Sequence, residues 1–404
     1  MKILLINHHD TRKTMHFRPG FFARKLALKG HEVTVLCLSD ARRFGFELDI
    51  QDGVHYVRSP DLFWGKLRTG WDPWSLVNRI HLLRRREFDL VHAFETRPAT
   101  IHPVRSYLRR CPGPLVMDWI DWWGRGGLIR EQRPGWYRIL FGRLETFYEE
   151  HFRTLADGTT VISHALGERA VALGVPRETI YWIPNGAPVE EFSVVPPGTH
   201  RREFGLPLDA TILADSALDV TIGMDLLMET LKCVAREHPA VLFMMTGAKQ
   251  RELTALAGRH GVAAYFRHLG RLPFGELGKA LSCADLFVMP FRDCVANRGR
   301  WPGRIGSYMA LGRPIVSNPV GEVALLMGQE RIGLLAAETP DAFAGKILTL
   351  VRDGVLRQEL GANARQLAER RFTWDCVVAD LERCYKATVN RYREHRRGGA
   401  PRLA

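Results

Sequence analysis

Apolar and polar positions fall into alternating blocks from the first residues onward. Lys2 to Asn7 (KILLIN) predicts a buried strand. Phe17 to Lys29 is amphipathic, opens with Arg18-Pro19-Gly20 and closes at Gly30, the pattern of a helix with a C-terminal glycine. His31 to Leu38 (HEVTVLCL) predicts a second strand, so strand, helix and strand follow in under forty residues, a parallel-sheet signature. Residues 43 to 75, punctuated by Trp64, Trp71, Pro73 and Trp74, predict short strands and a loop. Alternation then resumes: helix 76–86, strand 89–94, helix 99–109, strand 114–120, helix 136–153, strand 158–163, helix 165–173 and strand 179–183. Such repetition predicts a doubly wound α/β domain.

Pro184-Asn185-Gly186 ends this half, and residues 187 to 200 read as a linker. The pattern restarts with strand 211–215, helix 224–237, strand 241–247, helix 250–260, a strand near 265–269, helix 275–283 and strand 285–290. After a polar, glycine-rich stretch come a helical pattern through Ile305, Tyr308 and Met309, a strand at 314–317, and helices 340–353, 355–371 and 375–392. The expected domains are 1–188, 189–372, a C-terminal helix 373–394 and a basic tail 395–404, disordered after Arg396. Two doubly wound domains predict a ligand site in a cleft between them, at the carboxyl ends of strands.

Composition narrows the class. With 404 residues, 46% hydrophobic and 25% charged, the chain suits a globular protein of two domains. The net charge of +13 suits an acidic partner such as a nucleotide or an anionic membrane. The basic helices at residues 79 to 86 and 105 to 110 are candidates for docking on an anionic membrane, and no nucleic-acid module is recognisable. Seven scattered cysteines without a CxxC pair suggest reduced thiols, and no stretch is long enough to span a bilayer. A cytoplasmic, soluble protein, peripheral to a membrane at most, is expected.

Chemistry concentrates in three places. Asn297 to Val316 holds Asn297, Arg298, Arg300 and Arg304 among glycines, then runs into a helix, an arrangement that offers N–H groups and positive charge to an anion. A solvated loop with surface salt bridges is the plain alternative. Asp118 and Asp121 flank a tryptophan-rich strand end (DWIDWWG) and can orient an acceptor hydroxyl or stabilise an oxocarbenium-like centre. The alternative is carboxylates that pair with Arg125 or Arg130 while the tryptophans pack. Gly20, at a helix start, allows close approach of an anion or simply starts the helix. His8 and His9 point to opposite sides of an extended strand and make a poor metal pair, and His164 follows a strand end.

These blocks resemble the GT-B glycosyltransferases of family-4 type. The resemblance rests on ALKGHEVTVL, on GTTVISHAL followed by VALGVPRETIYWIPNGAPVEEF, on FRHLGRLPFGELGKALSCADLFVMPF, on YMALGRPIVSNPVGE and on FTWDCVVADLERCY. It implies two Rossmann-like doubly wound domains facing a cleft, with a terminal helix crossing back to the first. It further implies a transferase of the EC 2.4 class that moves a sugar from a nucleotide to an acceptor with retention. No cofactor or metal is implied.

The chain departs from the family pattern at the donor site. The usual basic pair falls on Ala217 and Ile222, and the usual glutamate pair on Gly299 and Ser307. Stand-ins for the donor nucleotide-sugar are then Gly20, Asn297, Arg300, Arg304, Ser307 and Tyr308, with Asp118 and Asp121 as catalytic candidates. Two readings stay open: a glycosyltransferase acting on a carbohydrate or lipid-linked acceptor, and a catalytically degenerate GT-B protein serving as a binding or scaffold subunit. An epimerase or phosphorylase on the same fold has less to support it.

Overall fold

The computed structural model describes residues 1–16, 18–40, 44–63, 69–217 and 223–397. The chain forms two compact units, Met1–Pro184 together with the segment from Trp374, and Asn185–Thr373.

The first unit holds an eight-stranded sheet. Its strands are β1 (Lys2–Asp10), β2 (Glu32–Leu38), β3 (Glu47–Gln51), β4 (Val54–Ser59), β5 (Leu90–Phe94), β6 (Leu115–Trp119), β7 (Gly158–Val161) and β8 (Ile180–Trp182). They lie in the order β3-β4-β2-β1-β5-β6-β7-β8, and all neighbours are parallel except the edge pair β3 and β4. Strands β1, β2, β5, β6 and β7 are buried along nearly their whole length because helices cover both faces, whereas edge strands β3 and β8 have no buried residue.

The terminal helix Trp374–Arg397 completes this unit. Val377, Val378, Leu381, Cys384 and Tyr385 join Ile3, Leu5, Phe22 and Val33 in one core, and Trp374 stacks on Phe21 at 4.2 Å. The helix therefore belongs to the first sheet even though the second unit separates them in sequence.

The second unit holds six parallel strands: β9 (Thr211–Ala217), β10 (Val241–Gly247), β11 (Phe266–His268), β12 (Leu286–Met289), β13 (Ile315–Ser317) and β14 (Gly333–Leu335). Their order is β11-β10-β9-β12-β13-β14. Strand order reverses between β1 and β5 in one sheet and between β9 and β12 in the other. Crevices for ligands open beyond the carboxyl ends at such points.

The structure adds elements that the pattern did not separate. The region 43–75 contains β3, β4 and the start of helix Pro73–Leu83, whose N-cap Asp72 accepts from the Trp74 N–H at 2.9 Å. Helix Gly321–Gln329 and strand β14 fill the interval before Pro340. Phe17, Trp64 and the tail beyond Arg397, all part of the sequence reading, lie outside the described residues. Among the described residues, no helix is long and apolar enough to cross a membrane.

Candidate active site

In the second unit the polar groups gather at the β9–β12 reversal. Asp215, near the carboxyl end of β9, is fully buried. Its Oδ1 accepts from Tyr308 Oη at 2.5 Å, and Tyr308 Oη in turn accepts from the Ser216 N–H at 2.7 Å. Arg304 Nε stands 3.1 Å from the same Oδ1, an ion pair whose angle is not that of a hydrogen bond. The guanidinium also lies 5.0 Å over the Phe291 ring. Three buried atoms of this cluster, Arg304 Nε, Arg304 Nη2 and Asp215 Oδ2, have no hydrogen-bond partner among the described residues. Burial raises the Asp215 carboxyl from its ordinary value, and Arg304 opposes that shift.

Helix Gly303–Ala310 sets this arrangement. Tyr308 is one turn beyond Arg304, so both reach the end of β9 from one helix face. Tyr308 is a correction to the sequence reading. It is fully buried, stacked on Phe287 at 3.7 Å, with its hydroxyl spent on Asp215 and Ser216, so it anchors the helix instead of facing a ligand. Ser307 is half-buried on the same helix.

The segment before the helix is clamped from beneath. Asn318, just past β13, accepts from the Phe291 N–H at 2.8 Å and donates to its carbonyl at 2.6 Å. Asn297 is buried and donates to the Arg292 carbonyl at 2.8 Å. Gly321 has φ +53°, and a Cβ there would meet the carbonyl oxygens of Arg298 at 2.8 Å and Asn297 at 2.9 Å. Arg300 is half-buried, whereas exposed Arg298 pairs with Asp293. The unit thus brings Asn297, Arg300, Arg304 and Ser307 to one loop-helix segment. Ile222, one of the positions where the family's basic pair falls, lies outside the described residues.

In the first unit, the two aspartates of DWIDWWG part company. Asp118 is fully buried, with Arg18 Nε at 2.8 Å on Oδ2, Arg18 Nη2 at 3.0 Å on Oδ1, and Thr160 Oγ1 also donating to Oδ1. Arg153 Nη1 donates to its carbonyl at 2.8 Å. This corrects its reading as a catalytic candidate: both oxygens are occupied and no face reaches solvent. Nor does Asp118 pair with Arg125, which binds Glu150 instead.

The hydrogen bonds around Asp118 have one consistent direction. Thr160 spends its proton on Asp118, so it accepts from His92 Nε2 at 3.3 Å. His92 Nδ1 then accepts from Tyr385 Oη at 2.7 Å. Burial holds this imidazole neutral, pushing it down to about 3. The terminal helix is thereby wired to the end of β6.

Asp121 remains half-buried beyond the strand. Nearby is Glu95, just past β5, which the sequence reading missed. It is 5% exposed, has φ +65°, a region that bulky residues avoid, and carries an Oε1 without a hydrogen-bond partner among the described residues. Its Oε2 is 3.9 Å from Arg153 Nη2. Burial pushes its carboxyl up to about 8, with Arg153 opposing and Asp121 adding to the rise. The only sequence signal was a glutamate directly after an apolar strand.

Each tryptophan of DWIDWWG has an arginine over its ring. Arg153 lies 4.2 Å over Trp119 and Arg169 4.2 Å over Trp122, while Arg97 and Arg133 approach Trp123 at 5.4 Å and 5.9 Å. Gly20 also has a local explanation, which corrects its assignment to a phosphate. A Cβ there would lie 2.5 Å from the carbonyl oxygens of both Thr14 and Met15, so the glycine admits its own chain, and carbonyl oxygens repel an anion on that side. The histidine expectation fails too. Strand β1 shifts register between Ile6 and Asp10, and the rings of His8 and His9 sit 4.3 Å apart instead of on opposite faces. Among the described residues, no group of three or more His, Cys, Asp or Glu is arranged to hold a metal ion.

Comparison with known proteins gives this geometry a family. Residues 21–191 match the model described as Glycosyltransferase Family 4, and residues 210–353 the model described as Glycosyl transferases group 1. Spore coat protein SA of Bacillus subtilis is 25% identical over 385 residues, 89% of this chain and 91% of that protein. A GDP-mannose-dependent monoacylated alpha-(1-6)-phosphatidylinositol monomannoside mannosyltransferase of Corynebacterium glutamicum is 23% identical, over 55% of this chain and 60% of that enzyme. The structure of Anabaena Alr3699/HepE in complex with UDP and glucose superposes with a TM-score of 0.69 and 16% identity, over 96% of this chain and all of that one. None of these findings supports the reading as a degenerate scaffold. With two parallel-sheet α/β units and family matches over most of its length, the chain belongs to the family-4-type glycosyltransferases of GT-B fold and is a transferase of the EC 2.4 class.

Proposed function

We propose that the protein transfers a sugar, with retention, from a nucleoside-diphosphate donor to a carbohydrate or lipid-linked acceptor. The observation that carries this reading is Arg304. Asp215 and Phe291 fix its guanidinium at a strand-order reversal, yet among the described residues Nη2 is left without a hydrogen-bond partner. A guanidinium held in place and still able to donate suits a diphosphate, which needs fixed N–H donors. Arg300, Asn297 and Ser307 on the same segment supply further polar contacts to the phosphates and ribose. UDP in the complex of the structural neighbour, and GDP-mannose in the name of the corynebacterial relative, support a nucleoside diphosphate as the donor's leaving group.

On the acceptor side, Asp121 orients the attacking hydroxyl, and the departing phosphate oxygen takes its proton. No metal or other cofactor enters this scheme. A cytoplasmic enzyme in peripheral contact with an anionic membrane completes the proposal; the phosphatidylinositol acceptor in the corynebacterial enzyme's name favours a lipid-linked substrate. The test is thermal-shift screening against UDP, GDP, ADP and TDP, with stabilisation by at least one expected. No shift with any of them sinks the nucleotide-dependent reading.

A further inference from the structure

Helix Gly135–His151 is turned inside out. Its buried residues are Glu145 and Glu149, whereas Trp136 is 61% exposed, Ile139 82%, Leu140 67%, Phe141 40%, Leu144 41% and Phe147 45%. Steps of three and four from Trp136 through Ile139, Leu140 and Leu144 to Phe147 put these five side chains on one stripe, with Phe141 off to its side. Scattered exposed apolar residues are ordinary, but a contiguous stripe marks an interaction surface.

The helix's inner acids are all engaged. Glu145 pairs with Arg97 and accepts from Tyr137 Oη at 2.8 Å. Glu149 accepts from Trp119 Nε1 at 3.1 Å and from the Trp123 and Gly124 N–H groups at 2.7 Å and 2.5 Å. Glu150 pairs with Arg125 and Arg169. Beside the stripe the balance reverses. Arg130, Arg138 and Arg143 line an open groove with Arg125 and His151, and among the described residues no carboxylate pairs with those first three. An apolar stripe edged by cations that lack counter-charges is the pattern of a helix lying in a lipid–water interface.

We propose that this stripe and its arginine rim are the surface on which the protein lies against an anionic bilayer. Apolar side chains enter among the acyl chains, and Arg130, Arg138 and Arg143 meet lipid phosphates. A second copy of the chain fits less well. Two-fold pairing through this face brings the same unpaired arginines towards each other, and like charges disfavour that contact. The inference deepens the membrane contact proposed above by naming its surface, and it moves that surface away from the basic helices at residues 79 to 86 and 105 to 110.

Co-sedimentation of the full chain with vesicles tests it. Wild type is expected to pellet with vesicles containing phosphatidylglycerol and to stay in solution with phosphatidylcholine alone. Ile139→Asp combined with Leu140→Asp, both at exposed positions, is expected to lower partitioning at least about ten-fold. Its melting temperature and nucleotide response should stay at wild-type values. Arg138→Ala with Arg143→Ala should weaken binding to the anionic vesicles, whereas Arg84→Ala with Arg85→Ala should not. Wild type that ignores anionic vesicles overturns the proposal. So does a double aspartate variant that pellets as well as wild type, or a wild-type dimer that the same variant dissolves. Because nucleotide stabilisation is read separately, vesicle binding without it sinks the donor reading and leaves this one standing.

Discussion

Arg304 reaches Asp215 across the end of strand β9, with Nε 3.1 Å from Oδ1, and Tyr308 from the next helical turn closes on the same oxygen at 2.5 Å. The carboxylate holds the helix by its tyrosine and the guanidinium by its inner edge. Asp215→Ala removes both attachments and leaves Arg304 without its counter-charge. The expected loss is about 3–5 kcal/mol of unfolding free energy, the usual cost of breaking a buried pair from one side. Denaturant unfolding of the variant checks this; a change within error contradicts the anchoring role.

Asp118→Asn should behave as a stability variant. Arg18 is 4% exposed and donates twice to that carboxylate, so the substitution leaves a buried cation unneutralised. A loss of about 3 kcal/mol or more is expected, visible as a lowered melting temperature. Wild-type stability together with lost turnover would instead return Asp118 to the chemistry.

Glu95 should make stability fall with pH. Its carboxyl sits at about 8 in the folded chain against an ordinary 4.5, so the folded state keeps a proton that the unfolded state releases. The unfolding free energy therefore declines as pH rises from about 4.5 to about 8 and is flat beyond. Glu95→Gln has no such proton, so it is expected to gain on wild type across that window. Melting temperatures of the two proteins between those limits decide the matter, and a constant difference contradicts the raised carboxyl.

Gly20→Ala should destabilise without touching nucleotide binding. The added Cβ meets two backbone oxygens at 2.5 Å, and backbone cannot swing aside as a side chain can. A cost of about 1–3 kcal/mol is expected. Weakened nucleotide affinity with unchanged stability would restore its reading as a phosphate contact.

Periodicity was enough to read the fold class. Helix Met224–Glu237 and strand Val241–Gly247 begin and end where the apolar spacing puts them, because a helix stripe and a buried run have distinct periods. The chemistry was less legible, since it depends on partners distant in sequence. Nothing local to DWIDWWG shows that Arg18, a hundred positions earlier, closes over Asp118. Nothing in LADS, residues 213–216, shows that Arg304 will stand at Asp215. His8 and His9 were misread because a register shift in β1 breaks the two-residue alternation. Helix Gly135–His151 was predicted, but its orientation was not. Spacing alone cannot say that two glutamates face inward when Arg97 and the Trp123 and Gly124 N–H groups await them.

Arg304 as a donor-phosphate ligand is the centre of the proposed donor site. Titration calorimetry of wild type, Arg304→Lys and Asp121→Asn with the stabilising nucleoside diphosphate measures this directly. Lysine keeps a charge opposite Asp215 but lacks the planar fork, so Arg304→Lys should bind roughly 10- to 100-fold more weakly, the worth of a charge-assisted hydrogen bond. Asp121→Asn, in the other unit, should bind as wild type does. Equal affinity in wild type and Arg304→Lys, or no nucleotide binding by wild type, contradicts the account.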